Sequence, residues 1–558
     1  MSLCAALCRG EFFLAATRTA AGRRQCSPRK SRNSRRDCCC CRIRCIRREN
    51  RSSFEPYDRA ENGNVVQVAG LAGFRGSRFA PNRKTGKAEP VKPHCVLALG
   101  FGKNPAEAQL NARASLAEGF VSVQRAYRSG WRNFAARLPR VGPKRQHQFV
   151  MAAMVLHALE DKTFRGATIA SPSIPWGGGP NANEPTISGY HAVWSRDLYQ
   201  VATGLLALGD RAGANRALDY LFNVQQKRDG SYPQNSWVDG RPIGGGLQVD
   251  QVAFPLILAY QLSRSDRGTW LKHIKPAADF ILQHGPATGQ ERWEEKPGYS
   301  PATIAAEIAG LVCAAHCARL NGAVSDAESY LKKADEWANN VDRWTATATG
   351  PFGDGNYYLR ITENDNPNDG ASIEINSGGG TYDEREIVDA GFLELVRLGI
   401  KSPDDPLIVK SIAIVDKLLR EDTRWGAAWF RYNHDAYGER PDGGLYDGRN
   451  GNGRLWTLLT GERGEYELAR RQRSLARMRL NAMMAFANDG MMIPEQVWDK
   501  TDAHDPERHW GLGTGSATPL AWSMAQFIRL AVNLKSGRNL ETPHVVAARY
   551  LKGSRTGK

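Results

Sequence analysis

The chain has 558 residues, of which 41% are hydrophobic and 24% charged, and its formal net charge is +17. This length suits one large domain with appendages, or two to four domains. No uninterrupted apolar run approaches the roughly 20 residues that a membrane-spanning helix needs, so the composition disfavours an integral membrane protein.

The positive charge is concentrated at the N-terminus. Residues 1–51 hold 14 basic and 3 acidic residues, and the rest of the chain has a net charge of only +6. Eight of the 11 cysteines lie in the same stretch, including the run 38–41, but four consecutive cysteines cannot all reach one tetrahedral zinc ion. We therefore predict a disordered Arg/Cys-rich tail at 1–58, without a clean secretory signal.

Short β-rich runs separated by Gly, Pro and Asn follow the tail, for example at 65–68 and 95–99. Three or four strands fit here, which is too few for a complete domain, so 59–102 is interpreted as the remnant of an N-terminal β-sandwich. Asn104 and Pro105 then form a helix start, with a capping residue before a proline at the first helical position. This signal predicts a helical linker over 103–143.

Helix-period apolar patterns follow one another after residue 140, with scarcely a strand between them. Long loops rich in Gly and Trp separate alternate segments, and such loops are longer than ordinary connectors. The alternation predicts an (α/α)6 barrel over 144–552, in which helical hairpins form a ring and the loops gather at one mouth. The twelve predicted helices span 145–160, 195–208, 211–226, 249–264, 268–284, 301–319, 325–344, 384–399, 403–420, 452–461, 464–488 and 517–536.

Two glutamates in these loops have aromatic neighbours: Glu294 follows Trp293, and Glu495 lies between Pro494 and Trp498. Apolar surroundings raise a carboxyl pKa, as a general acid working near neutral pH requires. A second carboxylate across the cleft would complete a glycosidase pair. For each glutamate taken alone, a surface or helix-capping role is the alternative.

A third motif, Arg196-Asp197, stands at a predicted helix start. Asp197 could cap the helix while Arg196 is solvated, or the two side chains could bind the vicinal hydroxyls of a sugar. Both interpretations stay open on the residues alone.

No metal-binding motif is found in the sequence. The acidic loop 363–370 fails the calcium-loop pattern because Pro367 would occupy the third ligand position, and it is interpreted as a solvated turn. We expect no metal among the site residues and no required cofactor; a structural calcium ion stays open as an alternative, although no motif supports it.

Taken together, the motifs resemble glycoside hydrolase family 15, the glucoamylase and glucodextranase group, particularly its bacterial branch. The resemblance covers roughly residues 60–550 and implies an (α/α)6 barrel preceded by a β-sandwich, which is truncated in this chain. The motifs that carry it are Tyr190…Trp194-Ser195-Arg196-Asp197, Trp293-Glu294-Glu295, Pro494-Glu495-Gln496 and Ser516-Ala517…Leu520-Ala521-Trp522.

By this resemblance, Glu294 is the general acid that protonates the glycosidic oxygen and Glu495 is the general base that activates water, with inversion of configuration. Arg196 and Asp197 would grip the terminal glucose, and Glu295 would help to define the following subsite. The other matched residues would bind substrate, line the pocket or support the base: Tyr190, Trp194, Trp237, Trp293, Arg431, Ser516 and Trp522.

The function implied is exo-acting release of β-D-glucose from the non-reducing ends of α-glucans. Alternatives are an α-1,6-acting glucodextranase or a trehalase of the same family, or a non-catalytic carbohydrate-binding barrel, against which the presence of both glutamates argues. We expect an α-glucan or α-glucoside as partner, no nucleic acid and no membrane, and a monomer. We expect a soluble protein, and the sequence leaves its compartment open; members of the family that it resembles are often exported.

Overall fold

The computed structural model describes residues 105–176, 189–442, 444–500 and 510–551, together with Gly100 and six short strands before residue 100. The chain divides into two compact units, Met1–Arg137 and Leu138–Lys558. The predicted tail, 1–58, contains two of the six strands, and the rest of that range lies outside the described residues.

The first unit contains small antiparallel sheets and two helices, α1 (Pro105–Glu118) and α2 (Phe120–Arg137). Its sheets have two strands each, as expected for a partial β-domain. The pairs are β1 (Cys4–Leu7) with β6 (Val96–Leu99), β2 (Arg42–Cys45) with β3 (Gln67–Gly70), and β4 (Phe79–Pro81) with β5 (Ala88–Pro90).

The second unit is mainly helical. Its described helices are α3 (Pro143–Leu159), α4 (Ser195–Leu208), α5 (Arg211–Tyr220), α6 (Val249–Gln261), α7 (Arg267–Thr269), α8 (Lys275–His284), α9 (Pro301–Leu320), α10 (Val324–Thr345), α11 (Leu393–Arg397), α12 (Pro406–Leu418), α13 (Thr457–Ala469), α14 (Arg473–Ala485), α15 (Ala521–Ser536) and α16 (His544–Tyr550). They alternate between an outer and an inner position along the chain. The exceptions are the short helix α7, which leads into α8 through the π-helical turn Trp270–Ile274, and the last helix, α16.

The inner helices form a closed ring, which confirms the predicted (α/α)6 barrel. Each packs against the next in the order α4, α6, α9, α11, α13 and α15, and α15 returns to α4. α9 is the one described helix long and apolar enough to cross a membrane, and 94% of its most apolar window is buried inside the protein. A helix that is apolar on all sides suits this inner position.

Short strands in the loops gather at the mouth of the barrel. One sheet has the order β7 (Val193–Trp194), β8 (Asn235–Ser236) and β9 (Pro242–Gly244). Two further pairs are β10 (Ala346–Thr347) with β11 (Tyr357–Tyr358), and β12 (Ser372–Ile375) with β13 (Gly380–Asp383). The last sheet has the order β14 (Arg420–Thr423), β15 (Gly426–Trp429), β16 (Leu455–Trp456) and β17 (Gln496–Val497). The first and last sheets bring residues from distant loops together, because β7 and β16 each pair with strands from other loops.

The predicted helices 452–461 and 464–488 were wrong in their boundaries. The structure has one helix across Gly461 and Gly464, and the chain turns instead at Arg471, which has a φ of 64°. A Cβ atom on Gly461 would stand 2.3 Å from Cγ of Gln526 on α15. The glycines therefore allow close approach of α13 and α15 and do not end a helix.

The predicted helix 384–399 was also wrong in extent, because only Leu393–Arg397 is α-helical. Asp389 accepts a hydrogen bond from the Gly391 backbone at 2.8 Å and another from Nε1 of Trp293 at 2.9 Å. These bonds hold the preceding segment as a loop beneath the mouth of the barrel.

Replacing Gly461 with alanine tests the close contact between α13 and α15. We expect Gly461→Ala to lower the free energy of unfolding by about 1–3 kcal/mol, because the added methyl group must displace Gln526 and overpacks the interface. Gly244→Ala is the matched control, since no atom lies within 4 Å of its added Cβ. Equal stability of both variants in denaturant titrations would contradict the packing argument.

Candidate active site

A cavity of about 400 Å³ opens at the mouth of the barrel. Its lining comes from the loops before α4, α6, α9, α11, α13 and α15 and from the first turns of α4 and α15, which are far apart in sequence. Eleven of the twelve site residues predicted from the sequence line it, namely Tyr190, Trp194, Arg196, Asp197, Trp237, Trp293, Glu294, Glu295, Arg431, Glu495 and Trp522.

Donors on one wall of the cavity hold the Glu294 carboxylate. It accepts hydrogen bonds from Trp194 Nε1 at 3.3 Å, from Arg196 Nη1 at 3.3 Å and from Gln234 Nε2 at 2.5 Å. Its backbone has a φ of 68°, in a turn closed by a bond from its own N–H to the carbonyl of Glu291. Burial raises the pKa of Glu294 even though Arg196 opposes the shift.

Glu495 is more deeply buried and has fewer donors. Oε1 accepts a hydrogen bond from the Tyr190 hydroxyl at 2.7 Å, while Oε2 has no partner within the described part of the chain. Burial raises the pKa of Glu495 to about 8, although the Tyr190 bond lowers it. The adjoining strand β17 pairs with β16, and the Glu495 N–H donates to the carbonyl of Ala517 at 2.8 Å, so its backbone is fixed on both sides.

Arg196 is 3% exposed and lies between two carboxylates. Nε and Nη2 donate to the two oxygens of Asp250 at 2.7 and 3.1 Å, and Nη2 also donates to Gln248. Nη1 faces Glu294. Burial raises the pKa of the neighbouring Asp197 to about 7, against the effect of Arg196 and together with that of Glu294.

Glu295 points away from Glu294 into a cationic cluster. It accepts hydrogen bonds from Arg431 at 3.0 Å, from Arg360 at 2.8 Å and from the Tyr432 hydroxyl at 2.6 Å. Burial opposes its ionisation, but the two guanidinium groups hold the pKa of Glu295 below its ordinary value. The pKa values of the adjacent residues Glu294 and Glu295 are therefore shifted in opposite directions.

Ser516 is the predicted site residue that does not line the cavity. Its hydroxyl accepts a hydrogen bond from the backbone N–H of Gln496 at 3.0 Å, so it contacts the residue after Glu495 and acts on the backbone. Among the predicted wall residues, Trp293 is fixed by Asp389 and packs edge-on against Trp456 with ring centroids 5.5 Å apart.

Several functional residues were missed by the sequence reasoning. They hydrogen-bond directly to the predicted residues and hold them in place, although the two partners of each bond are tens of residues or more apart along the chain. The position of Asp250, in the first turn of a helix as Asp197 is, was the one available signal. The missed residues are Gln234, Gln248, Asp250, Arg360, Asp389, Tyr432 and Tyr437.

The described residues contain no group of three or more His, Cys, Asp or Glu side chains that could hold a metal ion. In the acidic loop that was interpreted as a solvated turn, Asn364 accepts from the backbone of Asn366 and donates to Asp369. Its side chains are used within the turn.

A helical barrel with two buried carboxyl groups and several tryptophans in one mouth cavity defines a glycoside hydrolase. The sequence model of glycosyl hydrolases family 15 matches residues 144–228 and 222–532. The chain belongs to this family. A second model, for domain N of glucodextranase, matches residues 48–136.

Individual relatives agree with this assignment. The chain is 44% identical over 503 residues to a glucoamylase of Clostridium sp., covering 90% of this chain and 67% of the relative. It is 25% identical to an uncharacterized glycosyl hydrolase of Methanocaldococcus jannaschii, over 68% of this chain and 54% of the relative. A crystal structure of bacterial glucoamylase complexed with acarbose superposes with a TM-score of 0.75 at 45% identity, over 81% of this chain and 64% of that one. The chain thus spans about two thirds of the length of the two glucoamylases.

The bidentate contact of Asp250 with Arg196 has a measurable consequence. We expect Asp250→Asn to lower kcat/KM about 10- to 100-fold, because an Arg196 released from its partner no longer holds Glu294 in place. Asp219→Asn, which removes a partly exposed contact with Arg264, should leave kcat/KM unchanged. Equal kinetics of Asp250→Asn and wild type would exclude this positioning role.

The Tyr190 bond sets the pH dependence expected of Glu495. A general base works when ionised, so kcat/KM should rise with pH through its pKa. Tyr190→Phe removes a bond that lowers this pKa, and the rising limb of the pH profile should therefore move to higher pH. Tyr382→Phe, which alters a ring stacked on His434 in another loop, should not move the limb. A limb moved to lower pH in Tyr190→Phe would contradict this role of the tyrosine.

Proposed function

We propose that the protein is an exo-acting, inverting glycosidase that releases β-D-glucose from the non-reducing ends of α-glucans, as a glucoamylase does. The observation that carries the proposal is the pair Glu294 and Glu495 in one cavity, with Arg196 and Asp197 beside them. The 44% identity with a curated glucoamylase supports the substrate class.

In this mechanism Glu294 protonates the glycosidic oxygen of the scissile bond. Burial favours its neutral form, as a proton donor requires, while Trp194 and Gln234 fix its Oε2. Arg196 lies against Oε1 at 3.3 Å and stabilises the carboxylate that remains once the proton has left. The acid is thus oriented before the substrate binds.

Glu495 activates the attacking water. Tyr190 occupies Oε1, which leaves the unpartnered Oε2 as the oxygen that accepts the proton of the water. The base must first be ionised, and the Tyr190 hydroxyl and Arg431 both favour that form. Inversion requires room for a sugar and a water between the two carboxyls, and both line the same cavity of about 400 Å³.

The proposal is tested by following the first product anomer by NMR with maltose, isomaltose, trehalose and dextran as substrates. We expect fastest release from maltose and β-glucose as the initial product. With maltose or trehalose the second glucose contributes some α anomer in any mechanism, so only α-glucose in excess of that contribution would exclude an inverting reaction. Absence of hydrolysis of all four substrates would exclude the enzyme activity.

The roles of the two glutamates can be separated with α-glucosyl fluoride, whose leaving group needs little protonation. Glu294→Gln should lose most activity on maltose, by a factor of about 100 or more, but keep much of its activity on the fluoride. Glu495→Gln should lose activity on both substrates, because water attack is impaired. The reverse pattern would exchange the two roles.

A further inference from the structure

A second cavity, of about 660 Å³, lies at the other end of the inner helices. Its wall is formed by the last turns of α4, α6 and α9 and by the segment that leads into α16. Ala207 in its wall follows Arg196 of the active site by eleven residues of the same helix, which is about 16 Å along the axis. Among the described residues, none lines both cavities.

Two acceptor oxygens in the wall of this cavity have no partner within the described residues. Glu541 is 6% exposed, and its Oε2 accepts from Asn533 Nδ2 at 2.9 Å while Oε1 accepts nothing. Gln261 donates through Nε2 to the backbone carbonyl of Glu541 at 2.7 Å, which leaves its own Oε1 without a partner. A buried acceptor without a partner is destabilising, so both oxygens favour a ligand that donates hydrogen bonds.

The charges of the wall argue against an anionic ligand. Arg529 is the buried cation, and its donors are already used by Glu465 at 3.3 Å, by Thr203 at 2.8 Å and by two glutamines, Gln200 and Gln526. Because Arg529 is already paired with Glu465, an anion would meet the Glu541 carboxyl without a free cation beside it. A wall with free acceptors and engaged donors favours a ligand that donates hydrogen bonds and carries no negative charge.

The rim of the cavity offers apolar surface. The Tyr260 ring meets His316 edge-on with ring centroids 5.2 Å apart, and its hydroxyl is fixed by the backbone N–H of Val545. Leu320 and Leu540 also line the cavity and are largely exposed. An aromatic ring and apolar side chains next to buried acceptors combine the two kinds of contact that a sugar makes, through its C–H face and its hydroxyls.

We propose that this cavity is a second binding site, separate from the active site, for an uncharged hydroxyl-rich ligand of one or two sugar rings. The ligand hydroxyls donate to Oε1 of Glu541 and to Oε1 of Gln261, and a C–H face packs against Tyr260. The choice of maltose as the probe rests on the proposed function, whereas the ligand class follows from the cavity itself.

Calorimetric titration of the full-length Glu294→Gln protein with maltose tests the proposal without turnover. We expect two binding sites per chain. Adding Ala207→Trp, which fills the second cavity, should reduce the number to one, and adding Gln261→Leu should weaken the second site about tenfold or more. Ser329→Trp, an equally large change on an exposed face of α10, should retain both sites.

Three results would overturn the proposal: a single site that survives Ala207→Trp, two sites that survive both cavity variants, or a second site that takes tetramethylammonium instead of maltose. Thermal unfolding shows whether each variant is folded, and Gln261→Leu carries the test if Ala207→Trp is not. Turnover is measured separately in protein that retains the native Glu294. There, Ala207→Trp should leave kcat/KM on maltose unchanged. A failure of the proposed activity is thus distinguishable from a failure of the second site.

Discussion

The buried charge of Arg196 is the constraint on which the active site depends. A guanidinium withdrawn from water must be paired and hydrogen-bonded, and leaving it unpaired costs several kcal/mol. Arg196 lies in the first turn of α4, and its bidentate partner Asp250 lies in the first turn of α6, the next inner helix. The pair therefore ties the mouth ends of two neighbouring helices together, and the one remaining nitrogen, Nη1, is directed at Glu294.

The same arrangement recurs around the inner wall of the barrel. Buried ion pairs join Arg292 to Glu462, Arg397 to Glu394 and Arg529 to Glu465. Hydrophobic replacements of such pairs are often neutral for stability, so a barrel does not need them to fold tightly. The first and third pairs join elements that are distant in sequence at defined positions, whereas the second fixes Arg397 within its own short helix.

The sequence predicted the ring of helices well where a local signal marks a helix end, as at α4, whose predicted range 195–208 is the observed one. It failed at Gly461, where a helix end was predicted. A side chain there would collide with Gln526 on α15, and no local sequence pattern records that contact between helices. The catalytic candidates could be found because Glu294 and Glu495 stand in aromatic motifs. Asp250 and Arg360 could not, since their roles arise only when helices and loops far apart in sequence meet.

The protonation of the acids in the cavity depends on how many carboxyl and guanidinium groups lie around it. Asp197, Glu294 and Glu495 lie around one cavity, and Arg196 is the guanidinium that acts on the first two, while Arg431 acts on the third. Burial raises the pKa of each acid, and the acids also act on one another: Glu294 raises the pKa of Asp197, and Asp197 raises that of Glu495. Three acids with too few compensating cations titrate as a coupled group and retain protons near neutral pH. Acid–base hydrolysis needs such a group, because one carboxyl must hold a proton while another is ionised. The hydrogen-bond donors around Glu294 and the unpartnered oxygen of Glu495 make the two carboxyls chemically unequal.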